Sequence, residues 1–134
     1  DGFMMANAEL RVADVADGLS HTAAIFEVAG RPHKWQGGKR GEGLVKNAFV
    51  HKGSWIEVGN HIETRGHDPE TFAFPGFCAV NCTNTEGLYS FHPRGANVLF
   101  VDGTVRHLGA KLNLSALFAI STPAAGELLA DSDF

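Results

Sequence analysis

Apolar and polar positions alternate most regularly late in the chain, where residues 96–101 read ANVLFV and residues 104–108 read TVRHL around Asp102-Gly103. An Asp-Gly pair between alternating apolar runs is the strongest short-range hairpin signal. Residues 88–92 (LYSFH) read as a further short strand, joined to 96–101 through Pro93-Arg94-Gly95, so the region predicts a three-strand meander. Within it Val98 and Phe100 share one face while Leu99 and Val101 share the other. Both faces are apolar, so both are expected to be covered. One cover is the domain's own core; the other is a short helix at 114–120 or a helix upstream of the chain, with an apolar patch where that helix would lie. Asn113 or Ser115 caps the 114–120 helix, and Thr122-Pro123 stops it.

Upstream, residues 21–29 (HTAAIFEVA) alternate as a strand with one apolar face and a second face interrupted by Glu27. Thr22, Ile25, Phe26 and Val28 favour strand over helix there. Residues 1–20 have loosely helical apolar spacing, closed by the turn Asp17-Gly18. Residues 30–59 read as loop, with short extended pieces at 48–51 and 55–58. Residues 60–87 form a long irregular excursion of the kind that is functional or pinned by crosslinks, and the tail 128–134 is expected to fray. The fold class this predicts is α+β: a twisted antiparallel sheet with one or two short helices and long loops.

Composition sharpens that reading. The chain has 134 residues, enough for one domain with a buried core. Its 16 glycines exceed the usual share of about 7%, and its 19% charged residues fall below the usual share of about 25%, which suits many turns and short strands. A net charge of −4 argues against nucleic acid as the main partner, and ten Phe exclude a disordered chain. No apolar run approaches the roughly 18 residues of a membrane span.

Several groups carry candidate chemistry. Gly18-Leu19-Ser20-His21-Thr22 resembles a nucleophile elbow but lacks the closing Gly, and Asp17, Ser20 and His21 lie too close in sequence for a triad; a hydrogen-bonded turn is the favoured reading. Residues 37–43 offer amide donors and two cations but do not match the phosphate-loop pattern. His61, Glu63, His67 and Asp68 crowd into one loop, making His61, His67 and Asp68 weak metal candidates without the spacing of a zinc motif. Cys78-x3-Cys82 admits a structural disulfide, which is favoured, or two free thiols. Trp35, Trp55, Phe72, Phe74 and Phe77 offer rings for a small-molecule or sugar ligand if exposed, and core contacts if not.

The stretch YSFHPRGANVLFVDGTVR, residues 89–106, resembles the H-x9-D-G signature of a bacterial family of prepilin-like secreted proteins, catalogued as DUF1559 and as family 10 of extracellular solute-binding proteins. His92, Asp102 and Gly103 carry the signature, with Gly95 at the corner. Asp17, Gly18, Ser20 and Thr22, followed by a strand ending in Glu27, resemble the family's I-x-D-G-T-S-N-T segment. Asn81 and Asn84 resemble those of its I-N-C-x-N segment. The chain departs from the pattern at Leu19 for Thr, at His21 for Asn and at Arg94, where Gly is common. The resemblance implies a globular domain following a prepilin leader and an apolar helix. Residues 1–134 are therefore expected to be a single domain from the C-terminal part of a longer protein. It implies no catalytic residue.

His92 and Asp102 are expected to stand apart, about 20 Å along the ribbon at roughly 3.3 Å per strand residue, with structural roles at two turns. The function expected is that of a non-enzymatic, pseudopilin-like protein of the cell envelope or periplasm, or secreted. No cofactor is expected, and the expected partners are further copies or other pilin-like subunits. The alternatives are an extracellular solute- or carbohydrate-binding module and, last, a metal-dependent hydrolase.

Overall fold

The computed structural model describes residues 2–4, 9–41, 63–124 and 126. Its regular elements are a 3-10 turn at Val12–Asp14, strands β1 (Ala23–Phe26), β2 (Trp35–Gln36), β3 (Lys39–Arg40), β4 (Gly95–Phe100) and β5 (Val105–Gly109), and helix α1 (Leu114–Ser121). The Asp-Gly signal produces the hairpin it predicts. Gly103 N–H donates to the Phe100 carbonyl at 3.0 Å and Phe100 N–H to the Thr104 carbonyl at 2.9 Å. Gly103 sits at φ +85, so the loop is a tight turn followed by a left-handed residue.

The third strand of this sheet is β1, not residues 88–92. The order is β1-β4-β5, all antiparallel, with Phe26 opposite Val98 and Ile25 opposite Leu99. The predicted meander fails because both edges of β4 are taken, by β1 and β5. Leu88 and Tyr89 make single parallel bridges to Val80 and Val28 instead. Ser90 Oγ donates to the Gly95 carbonyl at 2.6 Å, so the chain crosses the end of β4 where a hairpin partner would run alongside it.

The core lies on the face of β4 that carries Ala96, Val98 and Phe100, where Leu108, Val80, Leu88, Leu117 and Ile120 join them. Asn113 caps α1, its Oδ1 accepting from Ser115 N–H at 3.0 Å, and Thr122 stands at the other end. Because Leu117 and Ile120 pack into this core, α1 covers the inner face only. The outer face carries a cross-strand ladder, Ile25–Leu99–Val105, in which Ile25 and Val105 are 53% and 64% exposed.

Two further readings need correction. The loosely helical stretch before Asp17-Gly18 yields, among the described residues, only the turn at Val12–Asp14. The stretch read as loop from residue 30 contains the hairpin β2–β3, closed by Gly37 at φ +53 and Gly38 at φ +77. Two positive-φ residues form the two-residue turn whose twist matches paired strands, so these glycines bend a hairpin. The extended pieces at 48–51 and 55–58 and the tail 128–134 lie outside the described residues, as do Trp55 and His61. Among the described residues no helix is long and apolar enough to cross a membrane.

Candidate functional site

The strand that carries Ile25 on the outer face continues, two residues on, to Glu27. Its carboxylate sits at a junction: Oε2 accepts Asn97 N–H at 2.9 Å, and Oε1 lies 3.3 Å from His92 Nε2. Glu27 N–H also donates to the Asn97 carbonyl at 3.2 Å. His107, opposite Asn97 in β5, brings its Nδ1 to 3.2 Å from Asn97 Oδ1, and the rings of His92 and His107 stand 6.3 Å apart. The His of the signature and the Glu closing the first matching segment therefore meet on the outer face. His92 N–H is held by Ser90 Oγ at 3.0 Å.

Asp102 occupies the opposite end of β4 and serves the hairpin turn. Its Oδ1 accepts the Thr104 hydroxyl at 2.7 Å and Thr104 N–H at 2.9 Å. The hydroxyl first, then the amide, hold the carboxyl below the usual carboxylate range. Asp102 N–H donates to the Leu19 carbonyl at 3.1 Å and Val101 N–H to the Thr22 carbonyl at 2.9 Å. The two Asp-Gly segments are thus joined through their backbones. Gly18 turns at φ +93, and its carbonyl accepts the buried Thr22 hydroxyl at 3.1 Å. Ser20 Oγ contacts the adjacent His21 Nδ1 at 3.1 Å, and Asp17 Oδ1 accepts Gly126 N–H at 3.0 Å. These contacts belong to a turn tied to neighbouring backbone.

The two asparagines of the Cys segment hold loops together. Asn84 is fully buried and uses its whole amide: Oδ1 accepts Trp35 N–H at 2.9 Å, and Nδ2 donates to the Ala29 and His33 carbonyls at 3.1 and 2.8 Å. Arg31 closes the same knot, donating to the Asn84 and Thr85 carbonyls. Asn81, at φ +62, accepts Ser90 N–H at 2.7 Å and donates to the Gly95 carbonyl at 3.0 Å. Between them Cys82 is bonded to Cys78, with Cα atoms 6.1 Å apart, which decides between the two thiol readings. Gly95 has no room for a Cβ, which would run into the Leu108 carbonyl and the His107 ring. Arg94 takes φ +66, a conformation that explains why Gly suits that position.

The described residues of the crowded loop, which exclude His61, are engaged elsewhere. His67 is buried, and its Nε2 lies 2.6 Å from the Glu86 carbonyl, to which it donates. Asp68 Oδ1 accepts from the amides of Thr71 and Glu70 and from the Thr71 hydroxyl, which together keep its carboxyl below the usual range. Glu63 and Glu86 flank the Arg65 guanidinium. Among the described residues no three His, Cys, Asp or Glu gather to hold a metal ion.

The aromatic residues divide. Trp35 packs edge-on against Phe91 at 4.7 Å, and Phe72 lays its ring on Gly37. Phe74 and Phe77 point outward, 59% and 73% exposed, with Arg65 5.0 Å from the Phe74 ring centre. Among the described rings of the expected row, Phe74 and Phe77 face outward, while Trp35 and Phe72 are half-buried.

The sequence singled out His92, Asp102 and the two segments before them but not what they touch. Asn84 was singled out only through the resemblance and without a role, because no local pattern shows that one amide will bridge loops some fifty residues apart. Chemically, Asn81, Asn84 and Asp102 satisfy backbone donors and acceptors.

A family model described as a protein of unknown function, DUF1559 (SBP_bac_10), matches residues 1–114. No curated protein and no solved structure matches the chain.

Proposed function

We propose that this chain, which belongs to the DUF1559 (SBP_bac_10) family, is a non-enzymatic structural subunit of the cell envelope or of a secreted assembly, pseudopilin-like in role. The observation that carries this reading is the use made of the signature residues. Glu27, Asn81, Asn84, His92 and Asp102 are engaged with backbone groups and with one another. A protein that works as a rigid shape needs this; an enzyme would leave such groups facing a substrate. The Cys78–Cys82 bond suits an oxidising compartment outside the cytoplasm. The Ile25–Leu99–Val105 ladder supports contact with another chain, since an exposed apolar patch on a sheet face is a surface suited to burial.

The test is site-specific photocrosslinking from position 105 in the cells that make the protein. Adducts to an envelope or filament subunit are expected. Crosslinks to no protein would overturn the assembly reading. A second reading, solute binding, is favoured by one observation, the outward rings of Phe74 and Phe77. A glycan array showing binding lost in Phe74→Ala and Phe77→Ala would establish it.

A further inference from the structure

The loop that carries the exposed rings of Phe74 and Phe77 meets a hairpin of opposite charge. One half of this pair is the loop of residues 63–86, which carries Glu63, Asp68, Glu70 and Glu86 against the single cation Arg65, itself flanked by two of those carboxylates. The other half is the β2–β3 hairpin with Lys34 just before it, Lys39 and Arg40 exposed on β3, and no acid between residues 34 and 40. Phe72 joins the halves by resting its ring on Gly37 at the hairpin turn. Phe74 and Phe77 follow on the same loop, both exposed.

The acidic half is built rigidly. His67 and Cys78 exchange backbone bonds of 3.0 and 2.9 Å, Gly76 N–H donates to the Gly66 carbonyl at 3.0 Å, and Asp68 holds the amides of Glu70 and Thr71. Neither Gly66 nor Gly76 has space for a Cβ, because the two arms of the loop touch backbone to backbone. Two phenylalanines on so constrained a loop stay exposed to water, and ordering them on contact with a partner costs little entropy.

The geometry points to a second copy of this chain as the occupant of this patch, in a two-fold contact. A two-fold axis sets a patch against itself, residue i on j and j on i. Here it brings the acidic loop of each copy to the basic hairpin of the other, with Phe74 and Phe77 of both at the centre. Apolar centre and charged rim are the anatomy of a protein interface. The inference deepens the assembly reading and rests on it, naming the partner of this surface as the protein itself.

Sedimentation of the 134-residue chain at concentrations up to about 1 mM, at low and high salt, tests it. A reversible dimer is expected, weakened by salt because its rim is charged. The double variant Phe74→Ser/Phe77→Ser should weaken it at least tenfold. Lys39→Glu/Arg40→Glu and, separately, Glu70→Lys should each be monomeric, yet associate when mixed, since one then carries two acidic halves and the other a strengthened basic face. Circular dichroism melts establish that each variant is folded, and the mixed pair decides the matter should the Phe variant unfold. A chain monomeric throughout, a dimer indifferent to these changes, or a mixture no tighter than its parts would overturn the inference. Because this test is made on purified protein, its failure leaves the crosslinking result from position 105 standing or falling by itself.

Discussion

Glu27 Oε1 lies 3.3 Å from His92 Nε2 while its Oε2 accepts the Asn97 amide at 2.9 Å, so one carboxylate ties β1, the approach to β4 and β4 itself together. The contact is half open to solvent, His92 being 53% and Glu27 28% exposed in their side chains, which limits its strength. Glu27→Ala should lower stability by about 1 kcal/mol, mostly through the lost acceptor for Asn97. His92→Ala should cost less, and a double-mutant cycle should give a coupling below about 1 kcal/mol. Urea denaturation of the four proteins measures all three quantities.

Asn84 presents the opposite case. Its side chain is fully buried and satisfies three backbone groups. Asn84→Ala strands the Trp35 amide and the Ala29 and His33 carbonyls, and should cost about 2–4 kcal/mol. Chemical denaturation checks the figure; a loss below about 1 kcal/mol would mean that the loops find other partners.

These two residues show how much of the molecule was legible in advance. The β4–β5 hairpin and α1 were, because Asp102-Gly103 and Asn113 act on their own neighbours and the signal is local. The 88–92 strand was misread because its pattern is that of a strand; what decides its partner is that β1, seventy residues upstream, already occupies the edge of β4. The β2–β3 hairpin was overlooked although Gly37-Gly38 between Trp35-Gln36 and Lys39-Arg40 is a two-residue turn signal; strands this short carry no alternation to support it. At the candidate site, the sequence reading set His92 and Asp102 at two different turns and gave His92 a hydrogen bond at the Pro-Gly corner, whereas its ring lies against Glu27. Glu27 reaches His92 only through the β1–β4 pairing, which local pattern does not specify.

Arg94 and Gly95 should respond in opposite directions to small changes. Arg94 holds φ +66 with a full side chain, so Arg94→Gly should raise stability by about 0.5–1 kcal/mol. Gly95→Ala forces a Cβ against the Leu108 carbonyl and should lower stability by roughly 1–3 kcal/mol or more. Thermal melts of the pair would show one midpoint above the parent and one below.

Acid should weaken the protein through Asp68 and Asp102. Hydrogen bonds from Thr71 and Thr104 respectively lower the carboxyl pKa of each in the folded state. A group with a depressed folded pKa contributes stability that is complete above its unfolded value near about 3.9 and is lost as pH falls through the folded one. Stability should therefore decline on acidification below about pH 4, and Asp68→Ala and Asp102→Ala should each flatten that decline while lowering stability at neutral pH. Urea midpoints across the acid range give the slopes directly; slopes equal to the parent's would contradict the assignment.

The central claim is that this domain is a structural part of an envelope or secreted assembly, its signature residues holding shape. Immunogold electron microscopy of the cells that make the protein, with antibody against this domain, tests it most directly. The account predicts label along filaments or at discrete assemblies in the envelope. Diffuse label outside the cytoplasm with no assembly beneath it would contradict the claim and turn attention to Phe74 and Phe77 as a ligand surface.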